Sequence, residues 1–78
     1  GMKIQLEEDI DLEKQIYNPG NIRDLIEDNK GSLWIFSQSG LYVKRPDNSI
    51  LLVASSDFPE MSSLTSDREG NIWGVENA

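Results

Sequence analysis

The residue types that most often carry catalysis are missing from this chain. Its 78 residues include no histidine and no cysteine, so the commonest general base, the commonest metal ligand and the thiol nucleophile are all lacking. Serine is plentiful, but no Gly-x-Ser-x-Gly motif surrounds any serine. The sequence therefore predicts no catalytic residue and no cofactor, and it predicts that the chain is not an enzyme.

Three acidic residues at alternate positions, Asp9, Asp11 and Glu13, could begin a calcium-binding loop. Such a loop needs glycine at its sixth position and glutamate at its twelfth. This chain has Lys14 and Gly20 at those places. We interpret the stretch as a solvated acidic turn and predict no metal site.

Two aspartates and two tryptophans could contact a ligand. Asp28 and Asp67 could supply carboxylate ligands, and Trp34 and Trp73 could stack on a sugar ring. Each pair is separated by 39 residues, and each aspartate is followed three residues later by glycine. We therefore interpret the aspartates as turn formers and the tryptophans as core residues of equivalent elements.

Four further residues lie at or near expected strand ends and turns, where a ligand could bind: Tyr17, Tyr42, Arg45 and Phe58. Nothing in their spacing assigns a role to any of them. The sequence thus leaves the ligand-binding residues unknown.

The elements that position these residues are repeated. Residues 22–39 recur at 61–78 with an offset of 39 and no gap, and self-similarity at a period near 40 indicates a repeat architecture. The matching pairs are Ile22/Met61, Leu25/Leu64, Asp28/Asp67, Gly31/Gly70, Leu33/Ile72 and Trp34/Trp73.

Each repeat predicts four short strands joined by tight turns. In residues 22–60 the strands are expected at 22–27, 33–36, 41–44 and 50–54, and the last, apolar on both faces, should be well covered. Gly31 and Gly70 are expected to have positive φ in their hairpin turns. The fold class is therefore all-β, made of four-stranded antiparallel meanders of the kind that form β-propeller blades.

Residues 2–17 are less regular. The alternation at 2–6 predicts a strand, and 12–17 is a second, weaker strand candidate, although a helix over 5–17 also fits the apolar spacing. We prefer strands because the repeat requires them. The domain organisation is then a half-blade at 2–21, a full blade at 22–60 and a half-blade at 61–78.

The string IRDLIEDNKGSLWIFSQSGLYVK resembles the two-component regulator propeller repeat. Asp28, Gly31, Leu33, Trp34 and Gly40-Leu41 stand at the positions of that pattern. The resemblance implies a blade of a sensor propeller, and in this family such propellers lie outside the inner membrane, ahead of a histidine kinase, and often sense glycans. The chain departs from the family in having two repeat lengths and no kinase, receiver or membrane segment.

The charge and the chain start limit the partners and the compartment. The net charge is −7, which disfavours nucleic acid, and no apolar run approaches the ~20 residues of a membrane helix. Gly1 ahead of Met2 suggests a cloning remnant. No export signal is expected after Met2, although the family resemblance implies a periplasmic location, so the localisation stays unknown.

The resulting expectation is a non-enzymatic ligand-binding or sensing module, with glycans as the ligand class that the resemblance implies. The alternative is a truncated structural fragment that self-assembles and binds no ligand, and a propeller lyase is disfavoured by the absence of histidine. For assembly, residues 61–78 of one chain are expected to pair head to tail with residues 2–17 of a neighbour. A trimer of six blades or a tetramer of eight would close the ring.

Overall fold

The computed structural model describes residues 3–7, 17–55 and 61–76. These residues form seven β-strands, and no helix occurs among them, so the described part of the chain contains no helix that could span a membrane. All strand pairs are antiparallel, which confirms the all-β prediction. The strands are β1 (Lys3–Leu6), β2 (Ile22–Glu27), β3 (Leu33–Ser37), β4 (Gly40–Lys44), β5 (Ile50–Ser55), β6 (Met61–Ser66) and β7 (Ile72–Glu76).

Sheet 1 is a four-stranded meander in the order β2-β3-β4-β5. It confirms the four strands predicted between residues 22 and 54. Strands β3 to β5 are rich in apolar, aromatic and β-branched residues, and each turn contains or is followed by Asp, Gly or Pro, as is typical of such hairpins. A bulge at Arg23 shifts the register between Ile22 and Asp24, which turns both Ile22 and Leu25 towards the same face.

Sheet 2 has the order β1-β7-β6. The register places Lys3 opposite Val75 and Leu6 opposite Ile72. The two segments that the sequence predicts to pair between chains therefore pair here within one chain. The connection allows this, since the residues between Glu7 and Ile22 can span roughly 45 Å at about 3.3 Å each. The second N-terminal strand candidate, at 12–17, falls almost wholly outside the described residues.

The core lies between the two sheets. Because side chains alternate along a strand, each sheet turns one face inward. The inner face of sheet 1 carries Trp34, Phe36, Leu41 and Val43, and Leu41 and Val43 are fully buried. The inner face of sheet 2 contributes Leu6, Leu64 and Ile72 to the same cluster.

The two tryptophans differ in environment. Trp34 is 4% exposed on the inner face of sheet 1, which confirms it as a core residue. Trp73 pairs with Gln5 and Thr65 on the opposite, outer face of sheet 2 and is half-buried. The prediction that Trp73 is also a core residue is wrong, because within the described residues no second sheet packs on that face.

Strand β5 is less covered than its composition predicts. Among its side chains that the structure describes, Leu51 is buried, while Ile50, Leu52 and Val53 are half-buried. The strand forms the edge of sheet 1, so within the described chain only one strand lies beside it. Its apolar side chains are therefore less covered than those of the inner strands.

Gly31 and Gly70 have φ of +83° and +86°, which confirms the predicted left-handed turns. We expect Gly31→Ala to lower the free energy of unfolding by about 1–2 kcal/mol, because a Cβ strains this conformation. Gly31→Asn is the matched control, since asparagine tolerates positive φ better. Urea unfolding should rank wild type above Asn above Ala, and an alanine variant as stable as wild type would contradict the expectation.

Candidate functional site

Asp28 organises the turn between β2 and β3. Its Oδ1 accepts hydrogen bonds from the backbone N–H groups of Lys30 and Ser32, both at 2.9 Å. Its Oδ2 accepts a third from the indole Nε1–H of Trp34, also at 2.9 Å. The carboxylate thus fixes the turn and anchors a core side chain at the same time.

Asp67 does the same in the turn between β6 and β7. Its Oδ1 accepts from the N–H groups of Glu69 and Asn71, and its Oδ2 from Trp73 Nε1, all at 2.9 Å. The side-chain amide of Asn71 adds a bond of 3.1 Å to Oδ2. The interpretation of Asp28 and Asp67 as turn formers is therefore confirmed.

Both carboxylates have lowered pKa values. The Trp73 indole, followed by the Asn71 amide, holds the pKa of Asp67 at about 2, against an ordinary value of 3.8. Partial burial would raise the pKa of Asp28, but the hydrogen bonds from Trp34, Ser32 and Lys30 outweigh it, so that this pKa is also lowered. Both groups are ionised at neutral pH and are occupied by internal bonds.

These pKa values predict acid lability. A carboxyl group whose pKa is lowered by folding stabilises the folded state above its unfolded pKa, and this stabilisation is lost as the pH falls through the folded pKa. The free energy of unfolding should therefore decline from about pH 4 to pH 2. Asp67→Asn should decline less steeply in urea titrations at each pH, and identical slopes would contradict the assignment.

The two turns meet across the sheets. Asn29 Nδ2 donates to the carbonyl oxygen of Glu69 over 3.4 Å, and a Cβ placed on Gly70 would overlap the Asn29 amide. Nearby, the backbone N–H of Leu64 donates to Asp24 Oδ2 at 2.7 Å. Glycine at position 70 thus gives both the turn geometry and the space for the opposing turn.

Two adjoining hollows open where the turns meet, with volumes of about 260 and 300 Å³. They share Asp28 and Gly70 in their walls, and together we name them the turn cleft. Their remaining walls contain carboxylates, amides and cations, and Trp34 also lines one hollow. The other lining residues are Gln5, Leu6, Glu7, Glu27, Asn29, Lys30, Ser66, Asp67, Arg68, Asn71 and Ile72.

The chemistry of the turn cleft is that of hydrogen bonding. Glu7, Glu27, Lys30 and Arg68 are exposed at its rim, and Gln5 donates to Asn71 across it at 3.0 Å. Within the described part of the chain, no group of three acidic, histidine or cysteine side chains is placed to hold a metal ion. The cleft can therefore offer hydrogen-bond donors and acceptors, and side chains of both charges.

Comparison with protein families bears on the first turn. Residues 16–39 match the family model described as a two component regulator propeller. These residues are therefore similar to a propeller repeat of that family. The match spans Asp28, Gly31 and Trp34, and it confirms the resemblance noted from the sequence. No significant match is found among curated proteins or among solved structures.

The fold does not bring the remaining candidate residues into the turn cleft. The rings of Tyr17 and Tyr42 meet edge to face with centroids 5.2 Å apart, on the outer face of sheet 1. Arg45 lies in the turn after β4, where its carbonyl accepts from Asn48 N–H at 2.8 Å. Phe58, like the acidic stretch Asp9, Asp11 and Glu13, lies outside the described residues.

Sequence reasoning missed Asn29, which joins the two turns, and the Gln5–Asn71 pair, which joins β1 to the second turn. Asn29 corresponds to Arg68 in the second copy, and Asn71 corresponds to Ser32, so neither asparagine belongs to the repeat pattern. The role of Asn29 depends on the packing of the two sheets, and that of Gln5 and Asn71 depends on the pairing of β1 with β7. The spacing of residues within one turn encodes neither.

Proposed function

We propose that this chain is a non-enzymatic ligand-binding module of the two component regulator propeller type, and that the turn cleft takes a small neutral polyhydroxylated ligand such as one unit of an oligosaccharide. The observation that carries the proposal is the meeting of two like turns around one polar cleft. Each turn is held by an aspartate whose oxygens are already bonded. A rigid frame of this kind limits the entropy lost on binding.

The charge of the protein favours a neutral ligand. A net charge of −7 repels anions at long range. The exposed cation Lys30 and carboxylate Glu7 line one hollow of the cleft, and the exposed cation Arg68 and carboxylate Glu27 line the other. Hydroxyl groups both donate and accept hydrogen bonds, so a sugar can satisfy all four groups where a simple ion cannot.

The size and the side chains of the cleft fit this ligand class. Volumes of about 260 and 300 Å³ lie just below and at the lower limit of the range for small-molecule sites, roughly 300–1,000 Å³. The carboxylates of Asp28 and Asp67 are committed to the turns, which supports binding rather than acid–base catalysis.

Calorimetric titration with a panel of neutral mono- and oligosaccharides tests the proposal. We expect at least one sugar to bind, and Lys30→Ala to weaken its affinity by about tenfold or more, as for the loss of a hydrogen bond to a charged group. Lys3→Ala is the matched control, because Lys3 is an equally exposed lysine outside the cleft lining. Absence of binding across the panel, or equal losses in both variants, would refute the proposal.

A second candidate function is structural self-assembly without a ligand. The register of β1 on β7 favours it, because the same pairing can form between copies, with residues 61–78 of one chain holding residues 2–17 of the next in a trimer or tetramer. Ile4 stands opposite Gly74, so an Ile4→Cys/Gly74→Cys double variant can be oxidised to a disulfide. Covalent oligomers on a non-reducing gel would support exchange between chains, and a covalent monomer would refute it.

A further inference from the structure

The two hollows of the turn cleft adjoin at the place where one turn faces the other. Asp28 and Gly70 line both hollows, whereas every other lining residue belongs to one of them. Asp28 lies in the turn between β2 and β3, and Gly70 lies in the turn between β6 and β7. The space between these two residues is therefore the junction through which a ligand would extend from one hollow into the other.

The side chain of Asn29 occupies this junction. Its amide lies so close to Gly70 that a Cβ on that glycine would overlap the amide. Its Nδ2 also donates to the carbonyl oxygen of Glu69 over 3.4 Å. Asn29 follows Asp28 directly in the chain, so its side chain extends from beside one shared residue to the other. A side chain that connects the two turns at this point separates the hollows.

The Asn29 side chain is not part of the frame that holds the turns. The first turn is held by Asp28 Oδ1, which accepts from the backbone N–H groups of Lys30 and Ser32. The bond from Asn29 to Glu69 is longer than the usual N–H···O range of about 2.7–3.2 Å, and Asn29 is exposed. Removal of its amide should therefore leave both turns in place.

The two hollows offer the same kind of chemistry on either side of Asn29. Lys30 and Glu7 line one hollow, and Arg68 and Glu27 line the other, so each hollow can bind the hydroxyl groups of one sugar unit. Each hollow alone lies just below or at the lower limit of about 300 Å³ for small-molecule sites, whereas the joined space would lie within their range. One side chain thus divides a cleft that is otherwise large enough for two units.

We propose that Asn29 determines the length of the ligand: it restricts the turn cleft to one sugar unit, and without its amide the cleft takes two linked units. This inference rests on the function proposed above. In wild type, one unit of a disaccharide lies in the hollow of Lys30, and the other unit stays in water, where it adds little to the affinity. With a small side chain at position 29, the second unit enters the hollow of Arg68 and makes hydrogen bonds there.

Calorimetric titration with the panel of neutral sugars tests this role, comparing each monosaccharide with its own disaccharides, such as glucose with maltose and cellobiose. The quantity measured is the ratio of the disaccharide affinity to the monosaccharide affinity. We expect Asn29→Ala to raise this ratio about tenfold or more above that of wild type, as for an added hydrogen bond to a charged group. Asn29→Ser, which also has a small side chain and suits a turn, should raise it in the same way and replaces the alanine variant if that variant does not fold.

Three further variants separate the shape of Asn29 from other effects. Asn21→Ala is the matched control, because Asn21 is an equally exposed asparagine outside the cleft lining, and it should keep the wild-type ratio. Asn29→Leu should stay close to that ratio, since leucine has the branched shape of asparagine without its hydrogen bonds. Asn29→Ala/Arg68→Ala should lose the increase, because the second unit then lacks the cation of its hollow.

The outcomes distinguish this inference from the proposed function. A ratio in Asn29→Ala and Asn29→Ser equal to that of wild type, with the monosaccharide bound, would overturn the role of Asn29 and leave the proposed function in place. An increase in Asn29→Leu as large as that in Asn29→Ala would also overturn it, because the effect would not depend on the shape of the side chain. Failure of every sugar to bind wild type and variants alike would overturn both.

Discussion

Replacing Trp34 by alanine is expected to lower the free energy of unfolding by about 3–5 kcal/mol, as for other large buried aromatic residues. The indole is 4% exposed at the centre of the contact between the sheets. A chain of this length has a total stability of only about 4–12 kcal/mol, so the variant should be largely unfolded under mild conditions. Urea unfolding followed by circular dichroism measures the change.

Trp73→Ala is the matched control for that substitution. Trp73 makes the same indole bond to its aspartate, but it is half-buried on the outer face of sheet 2. Both variants should be measured at low protein concentration, so that association between copies does not cover the outer face. The cost at Trp73 should then be clearly smaller than at Trp34, and equal costs would show that the sheets do not pack as described.

Replacing Asp28 by alanine is expected to cost about 2–4 kcal/mol. The change removes three hydrogen bonds to an ionised carboxylate, each with a donor–acceptor distance of 2.9 Å. Bonds to charged groups contribute about 1.5–3 kcal/mol each, but part of this is regained when the freed N–H groups of the turn bind water. The indole N–H of Trp34 is the exception, because its ring is buried.

Asp47→Ala is the matched control, because it measures the loss of stability when an aspartate is removed from a turn without a bond to a core side chain. Asp47 Oδ1 accepts from the backbone N–H of Ser49 at 2.9 Å, but it anchors no core side chain among the described residues. It should cost no more than about 1 kcal/mol. If thermal unfolding showed the same loss for Asp47→Ala and Asp28→Ala, the anchoring of Trp34 would contribute nothing.

Local structure could be predicted from the sequence because it depends on neighbouring residues. The spacing of Asp28 and Gly31 defines a turn in which the aspartate binds backbone N–H groups and the glycine takes positive φ, and both were found. The same spacing at Asp67 and Gly70 gave the same geometry. Strands β2 to β5 followed from apolar runs between these turns.

Features that depend on the number and order of packed sheets could not be predicted. Trp73 has the same neighbours in sequence as Trp34, but it is not in the core, because its face of sheet 2 is turned away from sheet 1. The sequence predicts that the residues of β1 and β7 pair. The repeat pattern does not indicate whether the two strands belong to one chain. Asn29 likewise gains its role from a turn 40 positions away.

The face-to-face packing of the two sheets is the claim on which the turn cleft rests, and nuclear Overhauser contacts test it most directly. We predict cross-peaks between the indole ring protons of Trp34 and methyl groups of Leu6, Leu64 or Ile72, its partners in the core cluster. A Trp34 ring that shows contacts to sheet 1 residues such as Val43 and none to those of sheet 2 would contradict the account.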